Sequence, residues 1–327
     1  MGWVLEDGGG EISGYLGNIP LNYELDGKRL LVATTRAWVV DTPHRSYSPL
    51  LLGTYFQQPY VDLFLSTTLN AHSTPLYRNF GTIPVPVGRW DRTLFWITHY
   101  PGFVESFLRK KGIAMAGTLS HPFSAGLYLY DRLQGSYPRS SSIIPTVRRL
   151  SAFDERFDVF WESLRNTKRN ILLAIRSREA LDWHFKIPLA RHAAWIYAVE
   201  GGSGLTAYSV FIRDDYPEIG LTRVRMADFQ CLEQKDEGDA LASMLCAAGE
   251  HCRQESIHML EVVGLAPELE KTLEPASPHL RSLPNWLYFY KPNNLGLAES
   301  LKTATAWEPS LFDGDSTLWS EAISKKM

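Results

Sequence analysis

Apolar residues fall into short blocks along the chain, and their spacing alternates between two and three-to-four residues, as expected for strands interleaved with helices. In the first part, Val- and Ile-rich runs bounded by glycine predict strands at 11–17, 28–40, 61–68, 83–87 and 93–98. Helical spacing predicts helices at 48–58, 71–80 and 101–111. Residues 134–145, QGSYPRSSSIIP, form a polar Gly, Pro and Ser cluster that reads as a connection. Beyond it the pattern begins afresh. Phe153, Phe157, Phe160, Trp161 and Leu164 keep one helical face apolar, and a second short helix fits Arg178 to His184. Strands at 194–199, 205–212 and 220–231 follow, then a helix at 237–252, a strand at 257–263, a helix at 266–273 and a strand at 285–290. The expected division is a first domain at 1–134, abbreviated at its start, a linker at 135–150 and a second domain with a tail at 151–327.

Two segments of the first part carry candidate chemistry. Ahead of TLNAHSTPLYRNFG, residues 68–81, the apolar run of Val61, Leu63, Phe64 and Leu65 leads towards Asn70, a residue suited to capping a helix. Ser73, Leu76, Tyr77 and Phe80 then recur at helical spacing, and Gly81 ends the helix. About twenty-five residues upstream, in WVVDTPHRSYSPLLL, a strand ends at Val40 and a helix opens near Ser48 or Pro49. Arg45 lies in the polar turn between them.

In this order the two segments resemble the coenzyme-binding part of the GCN5-related N-acetyltransferases. The order of elements in the second part resembles a complete unit of the same fold. The implied fold class is α+β, with tandem folds that are each a mixed, mainly antiparallel twisted sheet flanked by helices. Within the superfamily, FDERFDVFWESL, IRSREALDWHF and WEPSLFDGDS resemble segments of bacterial acetyltransferases associated with polysaccharide biosynthesis. The resemblance implies acetyl-CoA or another acyl-CoA as co-substrate, no metal, and direct attack of an amine on the thioester. It implies Tyr77 as the acid for the departing thiolate. Backbone groups of Val39 and Val40 would meet the pantetheine and thioester, Arg45, Ser46, Tyr47, Ser48 and Leu50 would face the pyrophosphate, and Asn70 and Ser73 would frame the site. The family pattern has Gly three residues after its Arg or Gln, and Gly or Ala five after. Here those places hold Ser48 and Leu50, and Pro49 has no amide proton to offer a phosphate. No general base stands out; Asp41 and His72 are the nearby titratable residues.

Composition narrows the field further. At 327 residues and with 45% hydrophobic content, the chain can bury two modest cores. A net charge of -3 without a long basic run gives no signal for nucleic acid. The expected partner is a small-molecule or glycan acceptor, with no membrane insertion and a cytoplasmic location, since MGWVLEDGGG lacks a basic leader and an apolar signal core. Cys231, Cys246 and Cys252 have neither CxxC spacing nor an even framework and read as buried thiols. Gly8 to Gly10 read as a hairpin turn, Trp286, Tyr288 and Tyr290 as one packing face of a strand, and Asp313 and Asp315 as an exposed turn. Three functions stay open: an acyl-CoA-dependent N-acyltransferase acting on an amine such as an amino-sugar or cell-envelope intermediate, an aminoacyl-tRNA-dependent transferase of the peptidoglycan-bridge type, and a non-catalytic binding or scaffold protein.

Overall fold

A computed structural model describes residues 2–137, 146–202, 204–283 and 286–318. The chain begins with β1 (Gly2–Glu6), β2 (Ile12–Leu25), β3 (Lys28–Val40), α1 (Ser48–Phe56), β4 (Leu63–Leu69), α2 (Thr74–Asn79) and β5 (Ile83–Pro84). Next come β6 (Arg92–Ile97), α3 (Tyr100–Lys110), α4 (Ala116–Gln134), β7 (Val147–Leu150), α5 (Glu155–Thr167), β8 (Leu173–Ala174) and α6 (Arg178–Ala190). It continues with β9 (Ala194–Gly201), β10 (Gly204–Arg213), β11 (Arg223–Cys231), α7 (Glu237–Gln254), β12 (Met259–Val263), α8 (Pro267–Leu273) and β13 (His279–Ser282). β14 (Leu287–Pro292) and α9 (Leu295–Ser300) close the series.

Among the described residues these strands form two sheets. The first has the order β1-β2-β3-β4-β14-β5, with β8 also against β2, and the second β13-β6-β12-β11-β10-β9-β7. Each is antiparallel except for one parallel pair, β3 with β4 and β11 with β12. The chain divides into two compact units drawn differently from the expected contiguous domains. The first holds residues up to Asp91, Arg165–Ile175 and Leu283–Ser316; the second holds Arg92–Leu164, Arg176–Ser282 and the residues from Thr317. The physical reason is strand pairing. β6 follows the strands of the first sheet in the chain but bonds to β12 and β13, whereas β14 follows those of the second but bonds to β4 and β5. Most of the expected 135–150 linker lies at 138–145, outside the described residues.

In the first unit, β2 and β3 form a long hairpin. Asp26 and Gly27 at its tip both have positive φ, 52° and 74°, the combination a two-residue turn of this twist requires. Gly8 to Gly10 form the turn between β1 and β2, with Asp7 accepting from the Gly9 amide. On one face of the sheet, Leu51, Leu52, Tyr55 and Phe56 of α1 pack with Phe64, Tyr77 and Phe289. Tyr288 and Tyr290 both pack against Trp307, so this aromatic strand joins elements of one core. In the second unit, Leu241, Met244, Leu245 and Ala248 of α7 cover Leu94, Trp96, Val224 and Leu260 of the sheet. Cys231 and Cys252 are buried there, and burial pushes the Cys252 thiol up to about 12, so it is no nucleophile. Cys246 is only partly buried.

Candidate active site

β3 and β4 pair only through Val32–Thr34 and Leu63–Leu65, and beyond those residues side chains rather than backbone bonds connect them. The Thr35 hydroxyl lies 3.1 Å from the Ser66 hydroxyl and 3.0 Å from the phenol oxygen of Tyr77. Tyr77, only 2% exposed, therefore reaches from α2 to the point where the strands part. Trp38 and Phe56 hold its ring by edge contacts at centroid distances of 5.9 and 5.8 Å. Burial pushes the phenol up to about 12, against the opposing pull of hydrogen bonds with Thr35 and Ser66, so it keeps its proton throughout the neutral range.

β3 bends at this point. Gly17 pairs with Arg36 and Tyr15 with Val39, so β3 holds one residue more than β2 in this interval. Ala37 absorbs the bulge at φ 52°, a left-handed conformation that costs a non-glycine residue about 1 kcal/mol. Val39, just beyond the bulge, is 61% exposed, while Val40 packs against the core of the sheet.

The following segment, Thr42–Tyr47, winds into a 3-10 helix that continues directly into α1. The Ser48 amide donates to the Arg45 carbonyl, and Pro49 has no amide proton. Leu50 is exposed and its carbonyl accepts from Thr54. Arg45, Ser46 and Tyr47 are exposed beside them. Asn70 and Ser73 satisfy each other, the Asn70 side-chain oxygen accepting from the Ser73 amide at 2.9 Å and from its hydroxyl at 3.1 Å. They brace the turn into α2, and through it the position of Tyr77. Asp41 and His72 are both exposed.

A carboxylate set aside in the sequence as part of an exposed turn belongs to this place. Asp313 is buried and accepts from the Tyr23 hydroxyl at 3.0 Å, which anchors the tail in the first unit. Gly314 then passes so close to Thr67 that a Cβ would lie 2.6 Å from its hydroxyl oxygen, and its φ of 84° also calls for glycine. Arg36 of β3 donates to the Asp315 carbonyl at 3.0 Å. Burial raises the Asp315 carboxyl above its usual range, opposed by the Arg36 charge and a hydrogen bond from Thr68 of β4. Its charge in turn disfavours ionisation of Tyr77. The tail thus sets a half-buried carboxylate among Arg36, Thr68 and the field of Tyr77. Its separation of 238 residues from Tyr77 hid this in the sequence.

The matching place in the second unit is built otherwise. β11 and β12 pair through Arg223–Arg225 and Met259–Glu261, and β11 bulges next to Ala227. Glu261, fully buried, pairs with Arg225 and Arg281, whose positive charges hold it below the usual carboxylate range despite burial. Asp228 is bound in bidentate fashion by Arg176 at 2.9 and 3.0 Å and accepts from Tyr208 at 2.7 Å. Gly238 and Ala240 stand three and five residues after Lys235, which occupies the place of the pattern's Arg or Gln, and the acidic neighbours Asp236, Glu237 and Asp239 set this turn further apart from it. A Cβ on Gly238 would meet Thr272 at 3.0 Å, so helix packing already accounts for this glycine. α8, PELEKTL, has no tyrosine.

No protein-family model matches the chain, and no characterised protein matches it by sequence. Its structure is similar to that of a conserved protein of unknown function from Enterococcus faecalis described as a probable N-acyltransferase, at 12% identity, TM-score 0.52, over 86% of this chain and 59% of that one. It is similar to a GCN5-related N-acetyltransferase from Anabaena variabilis at 13% identity, TM-score 0.52, over 89% and 62%. It is also similar to Saccharomyces cerevisiae N-myristoyltransferase with bound myristoyl-CoA at 12% identity, TM-score 0.51, over 87% and 64%. The chain thus spans about three fifths of the length of each. At such identities the likeness concerns architecture alone: the chain has the fold of the GCN5-related N-acetyltransferases. The two sheets, each with one parallel strand pair and flanking helices, are its tandem form.

Proposed function

We propose that this chain is an acyl-CoA-dependent N-acyltransferase that works at the parting of β3 and β4, transferring an acetyl or other acyl group to an amine on a small molecule or glycan. The observation that carries the reading is the Tyr77 phenol, buried, protonated and bonded to Thr35 where the two strands separate. The fold shared with solved acyltransferases, one of them holding an acyl-CoA, supports it.

In this reading the acceptor amine attacks the thioester carbonyl, the C–N bond forms, and the tetrahedral oxyanion collapses with breaking of the C–S bond. Asp315, made more basic by burial, takes the amine proton, and Tyr77 gives its proton to the departing thiolate. Backbone groups of Ala37 and Trp38 are released from regular pairing with β2 by the bulge, Val39 and Val40 lie beyond the last residues of β3 paired with β4, and this stretch is suited to hold the thioester end. The phosphate end must rely more on the Arg45 side chain than on amides, because Ser48 has used its own and Pro49 has none.

That last feature also favours a second reading, a binding or scaffold protein that retains the fold without turnover. Titration calorimetry with acetyl-CoA separates the two. Saturable heat that Arg45→Ala weakens by about tenfold or more is expected of the enzyme; a folded protein giving no heat at millimolar ligand removes it. An amino-sugar panel assayed with Asp315→Asn tests the base, which should lower turnover about a hundredfold and abolish the acidic limb of the pH profile.

A further inference from the structure

Helix α4 is inside out. Its buried positions are Ala116, Ser120, Ser124 and Asp131, small or polar residues throughout. Its large apolar side chains point to solvent instead: Leu119, Phe123 at 58% exposure, Leu129, Tyr130 and Leu133 at 79%. At 100° per residue, Leu119, Phe123, Tyr130 and Leu133 fall on one stripe of the helix, and Met115 extends it backwards. Phe107 and Ile113 extend the exposed apolar surface onto α3 and the turn between the helices. A stripe of large exposed apolar residues along one helix face marks a contact site, whereas single exposed hydrophobic residues do not.

The charges around it are mostly positive. From Phe107 to Tyr137 the basic residues are Arg109, Lys110, Lys111 and Arg132, and the one acid is Asp131. Asp131 is buried and engaged by Tyr100 at 2.9 Å and His279 at 3.0 Å, so it offers no negative charge to a partner. Arg109 is paired with Glu105, which leaves Lys110 and Lys111 at the end of α3. Val104, Leu108 and Ala116 form a small cluster that fastens the two helices together, with Phe103 and Leu127 packed against it. The hairpin therefore presents a fixed face.

We propose that the α3–α4 hairpin docks on an anionic lipid surface, with the α4 stripe lying in the headgroup boundary and Lys110 and Lys111 against the lipid phosphates. A helix in this orientation gains from apolar insertion on one side and charge attraction at its flank. No helix among the described residues is long and apolar enough to cross a bilayer, so α4 lies in the surface. A second copy of the chain would bring the same basic flank against its own, and a protein partner would need an acidic rim around an apolar groove.

Co-sedimentation with phosphatidylcholine vesicles, pure or containing roughly a third phosphatidylglycerol, tests this. The full chain is expected to pellet with the anionic vesicles and far less with the neutral ones. Lys110→Gln with Lys111→Gln should lower the partition coefficient roughly thirtyfold. Phe123→Ser with Leu133→Ser should abolish binding while thermal melts stay as in the wild type. Failure to pellet at low salt, or equal binding by all three proteins, overturns the proposal. So does a concentration-dependent dimer that Phe123→Ser dissociates in the absence of vesicle binding, which would assign the face to a second copy. None of these results depends on acyl-CoA binding.

Discussion

In the first unit β3 and β4 part after Thr34 and Leu65, and beside Arg36 and the Asp315 carboxyl the polar residues beyond are hydroxyls: Thr35, Ser66, Thr68 and the Tyr77 phenol. In the second, β11 and β12 part after Arg225 and Glu261, and the polar residues there are ions already neutralised by one another. One topology has thus been furnished in two ways. Hydroxyls bonded to hydroxyls can exchange a partner for a ligand at the modest net cost of a neutral hydrogen bond, about 1 kcal/mol. A buried Arg–carboxylate pair that loses a partner is penalised by about 3–5 kcal/mol. In the proposed reading the first parting opens to the substrate, and the ion pairs of the second hold it shut.

The sharpest break of this contrast is Tyr77→Phe. It should lower acyl transfer by about 10²–10⁴-fold while leaving acetyl-CoA affinity nearly unchanged, and stability should fall by no more than about 1 kcal/mol because Thr35 keeps Ser66. Unchanged turnover would remove the acid role. In the second unit the effects should reverse. Asp228→Ala removes the bidentate carboxylate from Arg176, which is 1% exposed, and should destabilise by about 3–5 kcal/mol in denaturant titrations. If the protein tolerated it, the claim that this polar cluster is structural would be wrong.

Acid provides a milder probe of the same unit. Burial, then the neighbouring His99, depress His258 from 6.5 to about 4, and its Nδ1 accepts from the Thr222 amide. The folded state thus takes up this proton later than the unfolded chain. Its contribution to stability is complete above about pH 6.5 and is lost progressively as the pH falls towards 4. Thermal melts of His258→Gln should lack that share of the slope.

The smallest effects compare the two bulges. Ala37 has a φ of 52°, so Ala37→Gly should stabilise by up to about 1 kcal/mol. Ala227 has no positive φ, so Ala227→Gly should destabilise by about 0.5–1 kcal/mol. Opposite signs in chemical melts would support the strain at Ala37, and equal signs would count against it.

Elements with a clean period were legible in the sequence. β3 at 28–40 and α7 at 237–254 match the ranges that spacing predicts to within two residues. α4 was missed because its apolar residues face outward, its inner face is Ser and Ala, and Pro122 interrupts the helical pattern. β1, β7, β8 and β13 were missed because each is five residues or fewer and takes its stability from neighbouring strands. Tyr77 could be found because its strand, cap and helix are contiguous. Asp315 could not, since pairing and tail packing alone bring it to Arg36 and Thr68, and its DGD context resembles any exposed turn. The exchange of β6 and β14 between sheets leaves no local trace at all.

The most direct test of the central claim is a crystal structure of the chain soaked with coenzyme A. The account predicts density for the pantetheine between β3 and β4, ending near the Tyr77 hydroxyl, with the phosphates near Arg45. Density beside β11 and the start of α7, or an empty first unit at saturating coenzyme, would contradict it.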